Sequence, residues 1–234
     1  MEEAKLKIIA RIYTDISSKF GLPRQSGIIP ELKGEIVFEK EYQNPDAFRG
    51  LEAYSRIWIL WQFSENIRED GSWSPTVRPP LLGGNKRVGV FATRSSFRPN
   101  AIAISNVSLD NIEYTKDRGP VLHVSGIDMC DGTPVFDIKP YIPKWDSHPD
   151  ERAGFTDELE KKHLRVDISG VKDRIDECFS AEQSEALIKV IAEDPRPSYQ
   201  DDPERIYGLV FSGRNVRFIV ADGIAKIIDI GGIA

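Results

Sequence analysis

Between Thr93 and Asn100, in the stretch Gly89-Val-Phe-Ala-Thr-Arg-Ser-Ser-Phe-Arg-Pro-Asn100, two arginines, three hydroxyl side chains and an amide fall within eight residues. Arginine forks hold carboxylates and phosphates bidentately, so this density of directional donors suits an anionic ligand. From Gly71 to Leu109 there is no Asp or Glu, while Arg78, Lys86, Arg87, Arg94 and Arg98 all lie there. The window carries +5, which leaves −11 for the remainder of a chain whose formal charge is −6. A cationic island in an acidic protein points to an anionic partner. A solvated basic face is the plainer reading, but such faces interleave acids with bases, and none do here. Phe91 and Phe97, in the same stretch, either stack on a flat ring or fill the core.

Three further segments carry polar groups at suggestive spacing. Gly21-Leu-Pro-Arg-Gln-Ser-Gly27 lets the backbone approach a ligand closely and offers Arg24 and Gln25 as donors, or is simply a loop with a surface arginine. In Ser125–Pro143, Asp131-Gly132 signals a hairpin turn. That turn leaves unexplained why Asp128, Asp131, Asp137 and Lys139 gather at strand ends, where carboxylates suit ribose hydroxyls or an amino group. Asp194-Pro-Arg-Pro-Ser-Tyr199 is either a helix stop with a linker or a rigid segment presenting Arg196 and Tyr199.

These groups need elements to hold them. Fifteen Pro and 18 Gly in 234 residues favour a β-rich chain with many turns. Alternation predicts strands over 6–12, 34–39, 56–63, 86–93, 102–114, 120–126 and 134–139, with a long loop over 14–34. Asn44-Pro45-Asp46 predicts a short helix that Gly50 ends. Strands in succession without long helices predict a compact β-barrel over 1–145, since closure removes exposed edges. The polar stretch 146–163 reads as a linker or surface excursion. Residues 164–234 read as a smaller α+β domain. It holds a strand at 164–169 and a helix opened by the capping box Ser180-Ala-Glu-Gln183. Strands at 207–212, 216–221 and 225–230 follow, turning at 213–215 and at Asp222-Gly223.

Absences narrow the chemistry. No glycine-rich phosphate or dinucleotide fingerprint, serine elbow or zinc-protease helix occurs, and no Pro-Cys-x-x-Cys. His123, His148, His163, Cys130 and Cys178 lack metal-site spacing, so no metal is expected, and two cysteines suggest a reducing compartment. The charged start Met1-Glu-Glu-Ala-Lys5 has no apolar stretch behind it. The longest apolar run, Ile57–Trp61, is too short for a membrane span. A cytoplasmic protein without membrane contact is expected.

Taken in order, Gly21–Gln25, Arg49-Gly-Leu-Glu-Ala-Tyr-Ser55, Pro75–Gly84, Gly89–Asn100, Asp131–Tyr141 and Asp194–Tyr199 resemble the TsaA-like family of tRNA methyltransferases, also called the YaeB or TrmO family. The likeness spans nearly the whole chain. It implies a non-Rossmann β-barrel methyltransferase that uses S-adenosylmethionine. The implied reaction methylates N6 of N6-threonylcarbamoyladenosine at position 37 of tRNA, giving m6t6A, and the implied assembly is a homodimer. The implied cofactor contacts are Pro23, Arg24, Gln25, Ser64, Glu65, Arg94, Ile104, Ser125, Gly126, Ile127 and Asp128. Ser64-Glu65 stands where some members carry His-Gln.

On this likeness the catalytic candidates are Asp194 and Tyr199, followed by Asp137 and Lys139. Arg78, Arg98, Arg196 and the other arginines would face anticodon-loop phosphates or the threonyl carboxylate, with Asp137 and Lys139 also against the substrate. Tyr199 and Phe97 would stack on splayed bases. A non-catalytic RNA-binding barrel and a cofactor-sensing module are the other readings these residues allow.

Overall fold

Six strands whose side chains alternate between buried and exposed close into an antiparallel barrel. The computed structural model describes residues 4–63, 72–79, 82, 86–158, 163–197, 200 and 202–233. Its first eight strands are β1 (Ala10–Thr14), β2 (Lys33–Phe38), β3 (Arg56–Gln62), β4 (Thr76–Val77), β5 (Val88–Gly89), β6 (Ile102–Thr115), β7 (Gly119–Ser125) and β8 (Thr133–Pro140). The barrel order is β1-β2-β7-β6-β3-β8. Ile12, Ile36, Ile57, Ile59, Val107, Leu122 and Val135 point inward and are no more than 1% exposed. β3 lies between β6 and β8, which accounts for its density of Ile and Trp.

Several sequence expectations need correction. The first strand starts at Ala10, not Leu6, although Ile9 already donates its amide to Val135. β2 turns away beyond Phe38 into a 3-10 turn at Lys40–Tyr42, so residues 6–8 have no ladder to join, and Leu6 is exposed. The strand expected over 86–93 shrinks to Val88–Gly89, which among the described residues pairs only with β4, in a two-stranded ribbon outside the barrel. A 3-10 turn at Val90–Ala92 follows. Asp131-Gly132 makes a tight turn but no hairpin. β7 pairs with β2 and β6, whereas β8 pairs with β1 and β3. The short helix at Asn44 is a 3-10 turn, Pro45–Phe48, whose Asn44 Oδ1 accepts from the Asp46 amide.

After β8 come α1 (Pro143–Asp146), a 3-10 turn at Gly154–Glu158 and β9 (Arg165–Asp167). α2 (Lys172–Cys178) was not legible in the sequence, because only Ile175 on it is fully buried. α3 (Ala181–Ala192) is capped reciprocally, with Ser180 Oγ accepting from the Gln183 amide and Gln183 Oε1 from the Ser180 amide. β10 (Tyr207–Phe211), β11 (Arg214–Ala221) and β12 (Ile224–Ile233) form a meander, with β9 joining parallel to β12. Its turns are Ser212-Gly213, one residue earlier than expected, and Asp222-Gly223. All four residues have positive φ, as two-residue primed hairpin turns require. No helix among the described residues is long and apolar enough to cross a membrane.

The barrel and this second sheet share one apolar core. Segment 15–33 lies in the seam between them. Ile16 bridges to Phe211, the Ser212 amide donates to Asp15 O at 2.7 Å, and Gln183 Nε2 reaches the Asp15 carboxylate and Ser212 Oγ. Gly21 sits there at φ +95°, buried, and a Cβ on it would run into Leu209.

Candidate active site at the barrel mouth

The loop leaving that seam meets two others at one end of the barrel. The Gly27 amide donates to Gly126 O, and the Gly126 amide to Leu32 O, each at 2.8 Å. Gly126 has φ +74°, and a Cβ there would press on the Gly27 backbone, so the close approach needs glycine. Ser26 Oγ accepts from the Asn106 amide at 3.0 Å, tying the loop to β6. Arg94 Nη1 donates to Gln25 Oε1, and Gln25 Nε2 donates to Arg24 O at 2.6 Å. Pro23 is buried beneath them and Arg24 is exposed.

Asp128 knits these segments together. It accepts from Ser105 Oγ at 2.5 Å and from the Ser26 amide, and Trp61 Nε1 in turn donates to Ser105 Oγ at 2.8 Å. Its surface is not wholly covered, but the protein packed around it raises its carboxyl to about 6. Desolvation is the main cause; the Ser105 and backbone hydrogen bonds and the Arg94 charge pull the other way. Ser105 is 1% exposed. It was missed in the sequence, yet it left a signal: a hydroxyl between Ala103 and Val107 on the inward face of an otherwise apolar strand.

The other candidates fall into distinct places. Ser125 and Ile127 flank the Gly126 junction, with Ser125 Oγ donating to Asp110 and Ile127 buried. Ile104 is 46% exposed on the outer barrel face, opposite Leu60 of β3. Leu60 also faces Asp137 of β8, so Ile104 and Asp137 flank one residue from both sides. Lys139 Nζ sits 2.8 Å from Asp137 Oδ2, and the pair neutralises itself. Arg98 Nη1 donates to Thr93 O and Ser95 O and therefore shapes its own loop. Arg78 is exposed at the end of the β4–β5 ribbon.

Asp194, at φ 49°, grips Arg196 in a fork: Oδ1 to Nε at 2.7 Å and Oδ2 to Nη2 at 2.9 Å. With both oxygens held by one guanidinium, Asp194 serves as an anchor for Arg196. Arg196 lies over the Tyr207 ring, 5.9 Å from its centroid. Tyr207 stacks on Phe20 with centroids 6.4 Å apart. Through Phe20 the 194–196 segment supports the loop that ends in Arg24 and Gln25. Ser64, Glu65 and Tyr199 lie outside the described residues.

The exposed guanidiniums of Arg94 and Arg24 suit a carboxylate, while Asp128 is already engaged by Ser105 and the Ser26 amide. Among the described residues no cluster of His, Cys, Asp and Glu could hold a metal ion.

Comparison with known proteins follows the same two-part layout. Residues 11–147 match the model of the tRNA-methyltransferase O N-terminal domain, and residues 162–233 match the TrmO C-terminal domain. The tRNA (adenine(37)-N6)-methyltransferase of Escherichia coli (strain K12) is 38% identical over 229 residues, 95% of this chain and 95% of the relative. A Pseudomonas aeruginosa protein, named as a candidate S-adenosylmethionine-dependent methyltransferase, is 36% identical over 206 residues, 86% of each chain. The crystal structure of TrmO from Pseudomonas aeruginosa superimposes with a TM-score of 0.78 at 27% identity, covering 99% of both chains.

Proposed function

This chain belongs to the tRNA-methyltransferase O family, and on that premise we propose that it methylates N6 of N6-threonylcarbamoyladenosine at position 37 of tRNA, giving m6t6A. The relatives named for N6 methylation of adenine 37 support the position and atom. The threonylcarbamoyl group is the finer part of the reading. The acid-free cationic window supports it, since both the threonyl carboxylate and the anticodon-loop phosphates are anions. S-adenosylmethionine, which Arg24, Gln25 and Arg94 at the barrel mouth would hold, would supply an electrophilic methyl on sulfur for transfer to N6 in exchange for the N6 proton.

The chain's own residues do the aligning. Arg94, braced by Gln25, faces a carboxylate at the mouth, and Asp128 holds the Ser26 amide and Ser105 so that the 24–27 loop keeps its shape. Asp194 is paired with Arg196 and Asp137 with Lys139. Alignment then carries the step, with the proton leaving to solvent. A homodimer and a cytoplasmic location belong to the same proposal.

The junction of Arg94, Gln25 and Asp128 is the observation that carries this reading. A charged hydrogen bond of this kind is worth about 1.5–3 kcal/mol, so Arg94→Ala is expected to lower kcat/KM about 10- to 100-fold. Mass spectrometry of tRNA nucleosides from a strain lacking the gene, complemented with wild type or Arg94→Ala, measures this. Wild-type levels of m6t6A in the variant would overturn the site. Unchanged m6t6A in the strain lacking the gene would overturn the function.

A further inference from the structure

The β4–β5 ribbon carries two aromatic rings that belong to no core. Phe91 is 71% exposed and Trp73 is 45% exposed, and their rings stack with centroids 6.0 Å apart at 28°. The local backbone forces Phe91 outward, because in the 3-10 turn after β5 Val90 takes the buried position at 1% exposure. Two stacked rings left in water forgo the gain of burying their apolar surface, which a partner would recover.

The neighbourhood indicates which partner. Val90 donates its amide to Pro75 O and Ser74 donates its amide to Phe97 O, so the aromatic end of the ribbon is sewn to the loop bearing Arg94. Arg78 and Arg87 stand at the other end, with Arg87 Nη1 on Thr76 Oγ1 at 3.1 Å. The ribbon thus has flat rings at one end and guanidiniums at the other, and no carboxylate occurs anywhere in the 71–109 window. Single-stranded RNA presents the matching pair of features, unstacked bases and phosphates. We propose that Trp73 and Phe91 form a stacking platform for an unpaired base of an RNA loop, beside the mouth where Arg94 sits. This rests on the reading of tRNA as substrate and adds the residues that would hold the loop open.

Binding of a fluorescein-labelled anticodon stem-loop RNA to the full chain, followed by anisotropy, tests the platform. Stacking of one base predicts that Phe91→Ala and Trp73→Ala each weaken binding about 5- to 100-fold. Phe91→Tyr, which keeps the ring, should stay within about twofold of wild type. A fully paired RNA duplex should bind all four proteins alike, and calorimetry with S-adenosylmethionine should give unchanged affinity. Variants that bind the stem-loop as wild type does would overturn the platform and leave the proposed function standing. Wild type that binds no stem-loop RNA would overturn the tRNA reading and the platform with it. Phe91→Ala that dissociates a dimer in sedimentation while keeping its RNA affinity would assign the rings to a second copy of this chain instead.

Discussion

The seam between barrel and second sheet and the mouth of the barrel are built from the same loop, yet by opposite means. At the seam, Ile16, Leu209, Phe211 and Phe218 are fully buried, and the polar links, backbone and side-chain alike, gather around Asp15, Ser212 and Gln183 beside that packing. At the mouth, Arg94 and Arg24 are exposed, Phe91 is largely bare, and side-chain hydrogen bonds radiate from Gln25, Ser26 and Asp128 beside the Gly27–Gly126 backbone junction. Residues 20–27 begin in the first environment and end in the second. Apolar packing, which is non-directional and strong in sum, anchors the loop. Directional polar contacts then set where its donors point. The proposed site lies at the end held by directional contacts.

If that division is right, the largest effect should come from the seam. Gly21→Ala combines a left-handed backbone with a Cβ driven into Leu209, and should cost about 3 kcal/mol in urea unfolding. A loss below about 1 kcal/mol would mean the seam yields easily and does not anchor the loop.

The mouth offers a pH test of intermediate size. The Asp128 carboxyl titrates near 6 in the folded protein, above its ordinary 3.8. Between those values the folded state keeps a proton that the unfolded chain has released. The stability this proton contributes is complete below about pH 4 and is lost as pH rises through about 6. Asp128→Asn has no such proton, so the variant should gain on wild type by about 2–3 kcal/mol as pH rises from 4 to 7. Urea unfolding of both proteins across that range measures it, and parallel curves would place Asp128 in water rather than in the packed junction.

The smallest effect belongs to the rim of the seam. Lys33 pairs with Glu182 at 2.7 Å, but both side chains are more than half exposed. Lys33→Ala should change unfolding free energy by no more than about 0.5 kcal/mol. A larger loss would shift the seam's strength from its core to its rim.

Much of this was legible in the chain. Alternation marked β2, β3, β6, β7 and β8 to within about two residues, because side chains in a strand change face at every step. Ser180 and Gln183 announced the start of α3, and Asp222-Gly223 a hairpin, since both signals act within four residues. The missing acids between Gly71 and Leu109 marked the cationic face that includes Arg94. Less visible were features that depend on distant partners. Leu6 has an alternating pattern and no strand to pair with. Residues 86–93 look like a strand but stand outside a barrel already closed by six others.

What the sequence by itself determined was local and compositional: the periodicity of its strands, the caps and turns, and the sign of charge in one window. Only the tertiary structure decided that Asp131-Gly132 joins strands that do not pair, that Asp194 is locked by Arg196, and that Phe91 faces water. It also decided that Ser105, Asp128 and Ser26 meet. The physical reason is that periodicity arises between neighbours along the chain. Burial, pairing and the state of a carboxylate depend instead on groups that folding brings from far away.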